Sequence, residues 1–317
     1  MGDSVDTMAM KVVLRRVVAD GIVEFTLAGM GEDILPAWEA GAHITVHTPG
    51  GPSRRYSLVG KPHDAPLTYV IAVKRDPNSR GGSASMHDDV GIDDILEIES
   101  PKNDFPLKPA SGYLLIAGGI GITPIYAMAR QLAAEGKEFN IVYCTRSAGD
   151  AAYLNEMKEA FGGRLLVHHD GGDPDRAYDF WDHFETVRPV HVYCCGPKPL
   201  MEEIEAVSGH WPEGRVNFED FKPVDVVRPE DVTFEIELAR SSRVLNVPAD
   251  RTILEAIRDS GIAVASSCES GTCGTCKCRL ISGEADHRDM VLMDDERDTF
   301  IMPCVSRSVT GRLVLDL

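Results

Sequence analysis

The sequence predicts three folded domains: an antiparallel β-barrel, an α/β domain with a parallel sheet, and a small α+β domain. Three observations lead to this prediction. Short segments of alternating polarity, separated by Gly, Pro and Asp, run to residue 104; apolar strands then alternate with helical stretches; and a charged segment with two prolines, KPVDVVRPED, precedes the last region. The domains are therefore predicted at residues 1–104, 105–222 and 223–317.

The first two regions differ in the period of their apolar residues. In the first, alternating strands with no long helix between them are predicted at residues 21–29, 42–48 and 67–75. In the second, buried strands are predicted at residues 113–118, 139–144, 164–169 and 190–195, with helices at 125–136 and 152–162. This βαβ pattern predicts ligand binding at the carboxyl ends of the strands.

The third region combines a few strands with one helix. Strands are predicted at residues 232–240, 242–249 and 311–317, with a helix near 252–260. Between the helix and the last strand lies a cysteine-rich loop, and this loop carries the strongest chemical signal in the chain.

Length and composition are those of a folded protein with more than one domain. The chain has 317 residues, of which 43% are hydrophobic and 26% charged. The formal charge of −18, from 50 acidic and 32 basic residues without a basic patch, would repel nucleic acid and anionic membrane surfaces. Neither is an expected partner.

No secretory or membrane-spanning segment is predicted. The first residues, MGDSVDTMAMKVVLRR, lack a basic region that leads into a long apolar stretch. Residues 110–129 carry no charge and are about as long as a membrane span requires. The middle of this stretch suits a buried strand, a tight turn and a helix start better than a spanning helix, because it contains Gly118, Gly119, Gly121 and Pro124. We expect a cytoplasmic protein.

The last region holds five of the eight cysteines, at positions 268, 273, 276, 278 and 304. Cys268-x4-Cys273-x2-Cys276, followed by the distant Cys304, matches the plant-type [2Fe-2S] spacing. Gly271 and Gly274 would supply the unusual backbone angles of a loop that wraps closely around such a centre.

Two alternatives bear on the ligand set. Zinc also takes four thiolates, but zinc ribbons usually pair two short Cys-x2-Cys knuckles, and here one partner is distant. Cys278 is a fifth candidate, which we interpret as a small buried thiol on the next strand.

The loop CESGTCGTC with a later Pro-Cys resembles the plant-type ferredoxin domain, and its C-terminal placement resembles the phthalate dioxygenase reductase family. This resemblance implies a flavin-binding barrel, a nicotinamide-binding domain and a β-grasp ferredoxin domain, in that order. It also implies metal ligands at Cys268, Cys273, Cys276 and Cys304.

The segment Arg54-Arg55-Tyr56-Ser57 resembles the Arg-x-Tyr-Ser flavin motif of the family. Arg54 would hold the flavin phosphate, Tyr56 would lie against the ring system, and Ser57 would hydrogen-bond the ring edge. Taken alone, the tetrapeptide also fits an ordinary surface strand.

A second segment of this region suits a phosphate. Lys74 ends a strand, and Arg80-Gly81-Gly82-Ser83 precede a predicted helix, where free N–H groups and the helix dipole favour an anion and Ser83 would cap. Without the basic residues, a simple serine cap would explain the pattern. The resemblance implies FMN rather than FAD.

Two loops resemble the pyridine-nucleotide elements of the family. The first, GGIGITP at residues 118–124, follows a predicted strand and precedes a predicted helix. Gly119 and Gly121 would let the backbone approach the dinucleotide closely. Thr123 would offer a hydroxyl, and Pro124 suits the first helical turn. A tight strand-to-helix turn is the alternative.

The second loop, Cys195-Gly196-Pro197, matches the Cys-Gly-Pro element of the family. Cys195 would lie beside the nicotinamide and orient it for hydride transfer. By alternation along the strand, Cys194 is expected to face the packed side of the sheet.

The nucleotide is expected to be NADH, with NADPH the less favoured choice. Arg146 would neutralise a 2′-phosphate, whereas Asp170 would disfavour one; alternatively, Arg146 is a solvated charge and Asp170 forms a turn with Gly171. Glu219 and Phe221 lie where the family has an acid and aromatics near the flavin, although packing between domains would explain them equally well.

Together these features predict an oxidoreductase that moves a hydride from NADH to FMN and then passes single electrons through the [2Fe-2S] cluster. The resemblance implies a Rieske-type non-haem iron oxygenase as the partner, and a monomeric reductase is expected. A redox-sensing or electron-carrying protein without turnover is the alternative. A flavin reductase that releases reduced flavin would not need the cysteine loop.

A docking surface for the partner is predicted beside the cluster in sequence. Residues 284–298 hold seven acids, at positions 284, 286, 289, 294, 295, 296 and 298. Complementary charge would speed the encounter and make it sensitive to salt. A solvated acidic loop is the alternative.

Overall fold

The computed structural model describes the chain except for residues 1–6, 32–33, 51–52, 63–64, 77–80, 222–227, 229, 263, 266–270, 272–273, 290 and 294. It divides into two compact units, residues 5–219 and residues 220–317. The predicted linker falls largely outside the described residues, and the domain boundaries after 104 and 222 remain predictions. Within the described residues, no helix is both long and apolar enough to cross a membrane.

The first unit begins with an antiparallel sheet that closes into a barrel. Its elements are β1 Thr7–Ala19, β2 Ile22–Gly29, β3 Ala42–His47, β4 Arg54–Ser57, β5 Thr68–Lys74, the helix α1 Gly82–Asp88, β6 Ile95–Glu99 and β7 Lys102–Asn103. The strand order is β4-β3-β6-β1-β2-β5, with β7 beside β3. The two ends of this order meet because Leu58 pairs with Ile71 and the N–H of Val59 donates to Val70 O at 2.8 Å. The predicted barrel is confirmed.

The second half of this unit is a parallel sheet with helices. Its elements are β8 Gly112–Gly118, α2 Ile122–Ala134, β9 Glu138–Thr145, α3 Leu154–Phe161, β10 Leu165–His169, α4 Trp181–Phe184, β11 His191–Cys195, α5 Lys198–Ser208 and β12 Val216–Glu219. The strand order is β10-β9-β8-β11-β12, and all these strands are parallel. From β8 the chain first builds the sheet outwards to β10 and then returns to the other side of β8 with β11, so a topological switch point lies between β8 and β11. Such a switch point opens a crevice at the carboxyl ends of the strands, where doubly wound sheets bind ligands.

One hydrophobic core serves both halves of this unit. Phe25 and Ile44 of the barrel and Leu115 and Tyr193 of the parallel sheet are all fully buried and belong to the same packed cluster. Because protein interiors are close-packed, elements that share a core hold each other at fixed positions.

The second unit is a mixed sheet with one helix. Its elements are β13 Phe234–Leu238, β14 Arg243–Val247, α6 Ile253–Asp259, β15 Cys278–Ser282, β16 Ala285–Asp286, β17 Phe300–Ile301, β18 Arg307–Ser308 and β19 Arg312–Leu315. The main sheet runs β14-β13-β19-β15-β17, and the last long strand, β19, lies parallel to β13. A hairpin, a helix and a returning parallel strand form the predicted β-grasp arrangement. The strand expected at Cys278 is β15, whereas the short strands β16, β17 and β18 were not predicted.

Candidate functional site

Two loops meet at the switch point of the parallel sheet. A Cβ atom built on Gly121 would lie 2.1 Å from the carbonyl oxygen of Cys195, and one built on Gly118 would lie 2.5 Å from Cδ of Pro197. Side chains at these two positions would force the loops apart. The predicted glycine loop after β8 and the Cys-Gly-Pro loop after β11 are thus brought together, with Gly196 between them.

The remaining residues of the glycine loop form the start of α2. Gly119 has a φ of 54°, a left-handed backbone that favours glycine. Pro124 lies in the first helical turn, as predicted. The hydroxyl of Thr123 donates to Ile120 O at 3.0 Å, so its proton stabilises the loop, and only its lone pairs remain for a ligand.

The two adjacent cysteines of β11 face opposite sides of the sheet. Cys195 packs in the cluster that contains Ala117 and Tyr193, whereas Cys194 packs in the cluster that contains Leu114. Cys195 pairs in register with Glu219 on the neighbouring strand β12. The alternation therefore places Cys194 on a packed side of the sheet, as predicted. Cys195 is fully buried on the opposite face, and its place beside the nicotinamide stays a prediction.

Strand β4 carries buried hydroxyl groups that lack a partner. The hydroxyl oxygens of Tyr56 and Ser57 are both shielded from solvent and accept or donate no hydrogen bond among the described residues. Burial raises the pKa of Tyr56 to about 12, against the opposing charge of Arg54. Buried polar groups are normally paired, so these two atoms fit a polar ligand such as the edge of a flavin. Arg54 itself donates to Ser53 O at 3.0 Å.

The predicted phosphate site lies around the start of α1. Gly81 occupies the N-cap position with a left-handed φ of 97°, Gly82 is the first helical residue, and Lys74 ends β5 with its side chain exposed. The prediction that Ser83 caps this helix is wrong: it is the second helical residue, and its hydroxyl accepts the N–H of Asp76 at 3.1 Å. Glycine at the cap takes its place because only glycine adopts this φ without strain. Arg80 lies outside the described residues.

Glu219 ends β12 beside two charged residues of the barrel half. Its Oε2 atom is shielded from solvent without a hydrogen-bond partner among the described residues. Burial raises the pKa of Glu219 to about 8; Arg55 acts against this and Asp104 adds to it. The sequence pattern pointed to Glu219 but not to Arg55 or Asp104, although Arg55 stands inside the Arg-x-Tyr-Ser segment. Phe221 is 40% exposed and belongs to the second unit.

The residues predicted to select the nucleotide, Arg146 and Asp170, directly follow β9 and β10. The Gly171 N–H donates to Arg146 O at 2.9 Å, so the two strand ends are in contact. A carboxylate oxygen of Asp170 accepts the N–H of Gly172 at 2.6 Å, which forms a turn, while Arg146 is exposed. The turn interpretation of Asp170 therefore holds.

Two of the predicted metal ligands converge in the second unit. The sulfur atoms of Cys276 and Cys304 are 3.2 Å apart, and both residues are buried against Leu292 and Met302. A disulfide would bring the sulfurs to about 2.05 Å, so this separation is that of two thiols sharing one site. Cys268 and Cys273 lie outside the described residues.

The residues around these thiols fit a closely wrapped cluster. Gly271 and Gly274 have φ values of 76° and 77°, as predicted, and a Cβ on Gly271 would lie 2.8 Å from Val305. Cys278 packs instead in the cluster of Ile236 and Leu280, and burial raises its pKa to about 12. Because Cys278 packs in a different core from Cys276 and Cys304, its omission from the predicted ligand set agrees with the structure.

Family models match both halves of this arrangement. Residues 236–309 match a 2Fe-2S iron-sulfur cluster binding domain, and residues 115–171 match an oxidoreductase NAD-binding domain. The predicted [2Fe-2S] cluster and nicotinamide nucleotide are confirmed.

Relatives match along the whole chain. A phthalate dioxygenase reductase of Burkholderia cepacia is 48% identical over 98% of this chain and 97% of its own length. A vanillate O-demethylase oxidoreductase of Pseudomonas putida is 40% identical over 96% of this chain and 98% of its own. The solved structure of a phthalate dioxygenase reductase, described as modular for electron transfer from pyridine nucleotides to [2Fe-2S], has a TM-score of 0.85, 47% identity and 98% coverage of both chains.

These matches confirm the predicted three-part fold and the predicted enzyme class, an NAD(P)H-dependent flavin iron–sulfur oxidoreductase of an oxygenase system. They extend through the glycine loop, the Cys-Gly-Pro loop and the paired thiols. This chain belongs to the phthalate dioxygenase reductase family.

Proposed function

We propose that this reductase takes a hydride from NADH onto FMN and passes electrons singly through its [2Fe-2S] cluster to a Rieske-type oxygenase. The observation that carries the proposal is the junction at Glu219. The carboxyl edge that holds the Cys195 loop and the barrel strand that holds the flavin motif both contribute to the surroundings of this one carboxylate.

The barrel half supplies the groups suited to FMN. The hydroxyls of Tyr56 and Ser57, which have no partner in the part of the chain that the structure describes, support binding of the ring edge. Arg54, Lys74, Gly81 and Gly82 suit the phosphate. FMN, when bound, supplies the chemistry of accepting two electrons together and releasing them one at a time. The protein orients the two rings and excludes water from between them.

The parallel sheet supplies the nucleotide site. A Cβ on Gly119 would meet no atom within 4 Å, so this glycine leaves the backbone open where a dinucleotide would cross the crevice, while Gly118 and Gly121 let the two loops approach each other. Cys195 ends β11 directly before the second loop and is proposed to orient the nicotinamide. Asp170 follows β10 where the backbone meets the end of β9, and its negative charge there would oppose a second phosphate, which favours NADH over NADPH.

The partner is proposed to dock near the cluster. Several acids of residues 284–298 are already used within the unit: Asp286 pairs with Arg288, Glu296 pairs with Lys277, and Asp289 is buried. Exposed acids remain at positions 284, 295 and 298. These exposed charges support a partner with a basic rim, and electron transfer to it should slow as salt is added. A Rieske-type oxygenase is the proposed partner because relatives serve a phthalate dioxygenase and a vanillate O-demethylase.

Separate readings of the flavin and the cluster test the proposal. The purified protein should show flavin and iron–sulfur absorption that bleaches with NADH, and it should reduce cytochrome c. Cys304→Ser should keep NADH-dependent flavin bleaching and lose cytochrome c reduction, because its thiolate holds the cluster. Cys278→Ala is the matched control and should keep both, since this thiol packs in another core.

A colourless protein, or a Cys304→Ser variant that reduces cytochrome c as fast as the native protein, would contradict the proposed path. Turnover of NADH in steady state also separates a reductase from a redox sensor, which would bleach once and stop.

A further inference from the structure

A polar cluster lies between the flavin strand and the carboxyl edge of the parallel sheet. Arg55 Nη1 on β4 lies 3.6 Å from Asp104 Oδ2, which follows β7, and each side chain is a little over a quarter exposed. Phe105, next to Asp104 in the sequence, packs against Tyr193 of β11 with ring centroids 5.3 Å apart, and Glu219 ends the strand that pairs with β11. Both charges of the cluster act on Glu219. Its Oε2 atom has neither solvent nor a hydrogen-bond partner among the described residues.

The other groups that face this cluster carry little charge at neutral pH. Burial, reinforced by Arg55, lowers the pKa of His43 on β3 to about 4, so its imidazole is neutral. Cys195 is the register partner of Glu219 and is fully buried. Arg55 and Asp104 are therefore the two charges that act most directly on Glu219, and they act with opposite signs.

We propose that Arg55 and Asp104 are positioning residues that together fix the charge of Glu219 during hydride transfer. The inference rests on the proposed function. In that reaction an electron pair and its hydrogen pass from NADH to the flavin and NAD⁺ remains, so Glu219 gives up no proton and acts by its charge alone. A neutral Glu219 places no negative charge beside a ring system that is gaining negative charge.

The sign of the pH effect follows from the burial of Glu219 and from the charges of its two neighbours. The pKa of Glu219, raised by burial to about 8, keeps the carboxyl neutral below that pH and ionised above it. Flavin reduction by NADH should therefore slow as pH rises through about 8. Asp104→Asn removes a negative neighbour and should shift this fall to lower pH. Arg55→Met removes a positive neighbour and should shift it to higher pH.

The experiment uses the protein with its cofactors bound and reads the carboxyl directly. Infrared difference spectra across a pH series follow the C=O stretch of the protonated acid, which Glu219→Gln identifies by its loss. Stopped-flow flavin reduction by NADH is recorded over the same series. Each charge-removing variant should move the titration by about one pH unit in its own direction, while Arg55→Lys should restore the native value.

Asp88→Asn is the matched control. It also neutralises an acid paired with an arginine of the barrel half, since Asp88 Oδ1 lies 2.6 Å from Arg75 Nη1. This exposed pair is absent from the charges that act on Glu219, so neither the infrared titration nor the rate profile should move.

Asp104→Asn and Arg55→Met are expected to shift the Glu219 titration in opposite directions, so each variant is an independent test. If one of them does not fold, the other still decides the question. An infrared titration that stays in place in the folded variant, while NADH still bleaches the flavin, overturns the positioning role. Absence of bleaching in the native protein instead overturns the proposed function. A shift of both the titration and the rate profile in the expected direction supports the inference.

Discussion

Gly121→Ala should separate the two loops of the proposed nicotinamide site. The new Cβ would lie 2.1 Å from the carbonyl oxygen of Cys195 and 2.8 Å from the backbone nitrogen of Gly196, whereas real Cβ contacts stay above 3.0 Å. The atoms on the far side are backbone and cannot rotate away. The loops must therefore move apart by about 0.9 Å.

A displacement of that size is large for hydride transfer. Misplacing a reacting group by about 1 Å costs on the order of 100-fold in rate. The crowding itself should cost about 1–3 kcal/mol of unfolding free energy, as overpacked sites do. We expect the rate of flavin reduction at saturating NADH to fall on the order of 100-fold, with flavin and cluster content unchanged.

Anaerobic stopped-flow spectroscopy at several NADH concentrations measures this rate separately from nucleotide affinity. Gly163→Ala is the control, since a Cβ at Gly163 would meet no atom within 4 Å. If Gly121→Ala reduces its flavin as fast as Gly163→Ala and melts at the same temperature, the close contact of the two loops is wrong.

Three further substitutions test separate parts of the fold. Ser57→Ala should weaken FMN binding by about tenfold, the value of one hydrogen bond, yet leave the stability of the flavin-free protein unchanged or slightly higher, as fluorescence titration and melting would reveal. Thr252→Ala removes a capping box in which the Thr252 hydroxyl accepts the Glu255 N–H at 3.0 Å. Urea unfolding of the unit formed by residues 220–317, followed in the whole protein, should show that its free energy of unfolding falls by about 1 kcal/mol. Asp231→Asn breaks a buried ion pair in which Asp231 Oδ1 lies 2.6 Å from Arg288 Nη2. The free energy of unfolding at neutral pH is expected to fall by about 3–5 kcal/mol. Because Arg288 holds the pKa of Asp231 below its ordinary value, this stability is present above pH of about 4 and is lost as the pH falls through the folded pKa, so the native protein and Asp231→Asn should converge in acid.

Local pattern was enough to predict the elements that bring the site together. Once the strands before Gly118 and before Gly196 were assigned to one parallel sheet, their loops had to meet at its carboxyl edge. The spacing of the cysteines likewise predicted that Cys276 and Cys304 share a site, although 27 residues separate them. In each case a short motif fixed the chemistry and the element type fixed the place.

Charge interactions between distant segments could not be predicted in this way. Arg55 and Asp104 are far apart in sequence and meet only because β4 and β7 flank the same strand, β3. The wrong assignment of Ser83 as a cap has a local cause. Serine is favoured at the N-cap, but Gly81 already takes the left-handed conformation there and starts the helix two residues earlier.

The division of cores matches the two kinds of electron movement that the proposed reaction needs. Hydride transfer requires two rings in contact, and the flavin strand and the nicotinamide loops are built on one continuous core that includes Phe25 and Tyr193. Single electrons need no such contact between reacting atoms, and the thiols of Cys276 and Cys304 lie on a separate core in the other compact unit. A substitution that loosens the first core should therefore slow flavin reduction, whereas one that loosens the second should impair the cluster and leave flavin reduction unchanged.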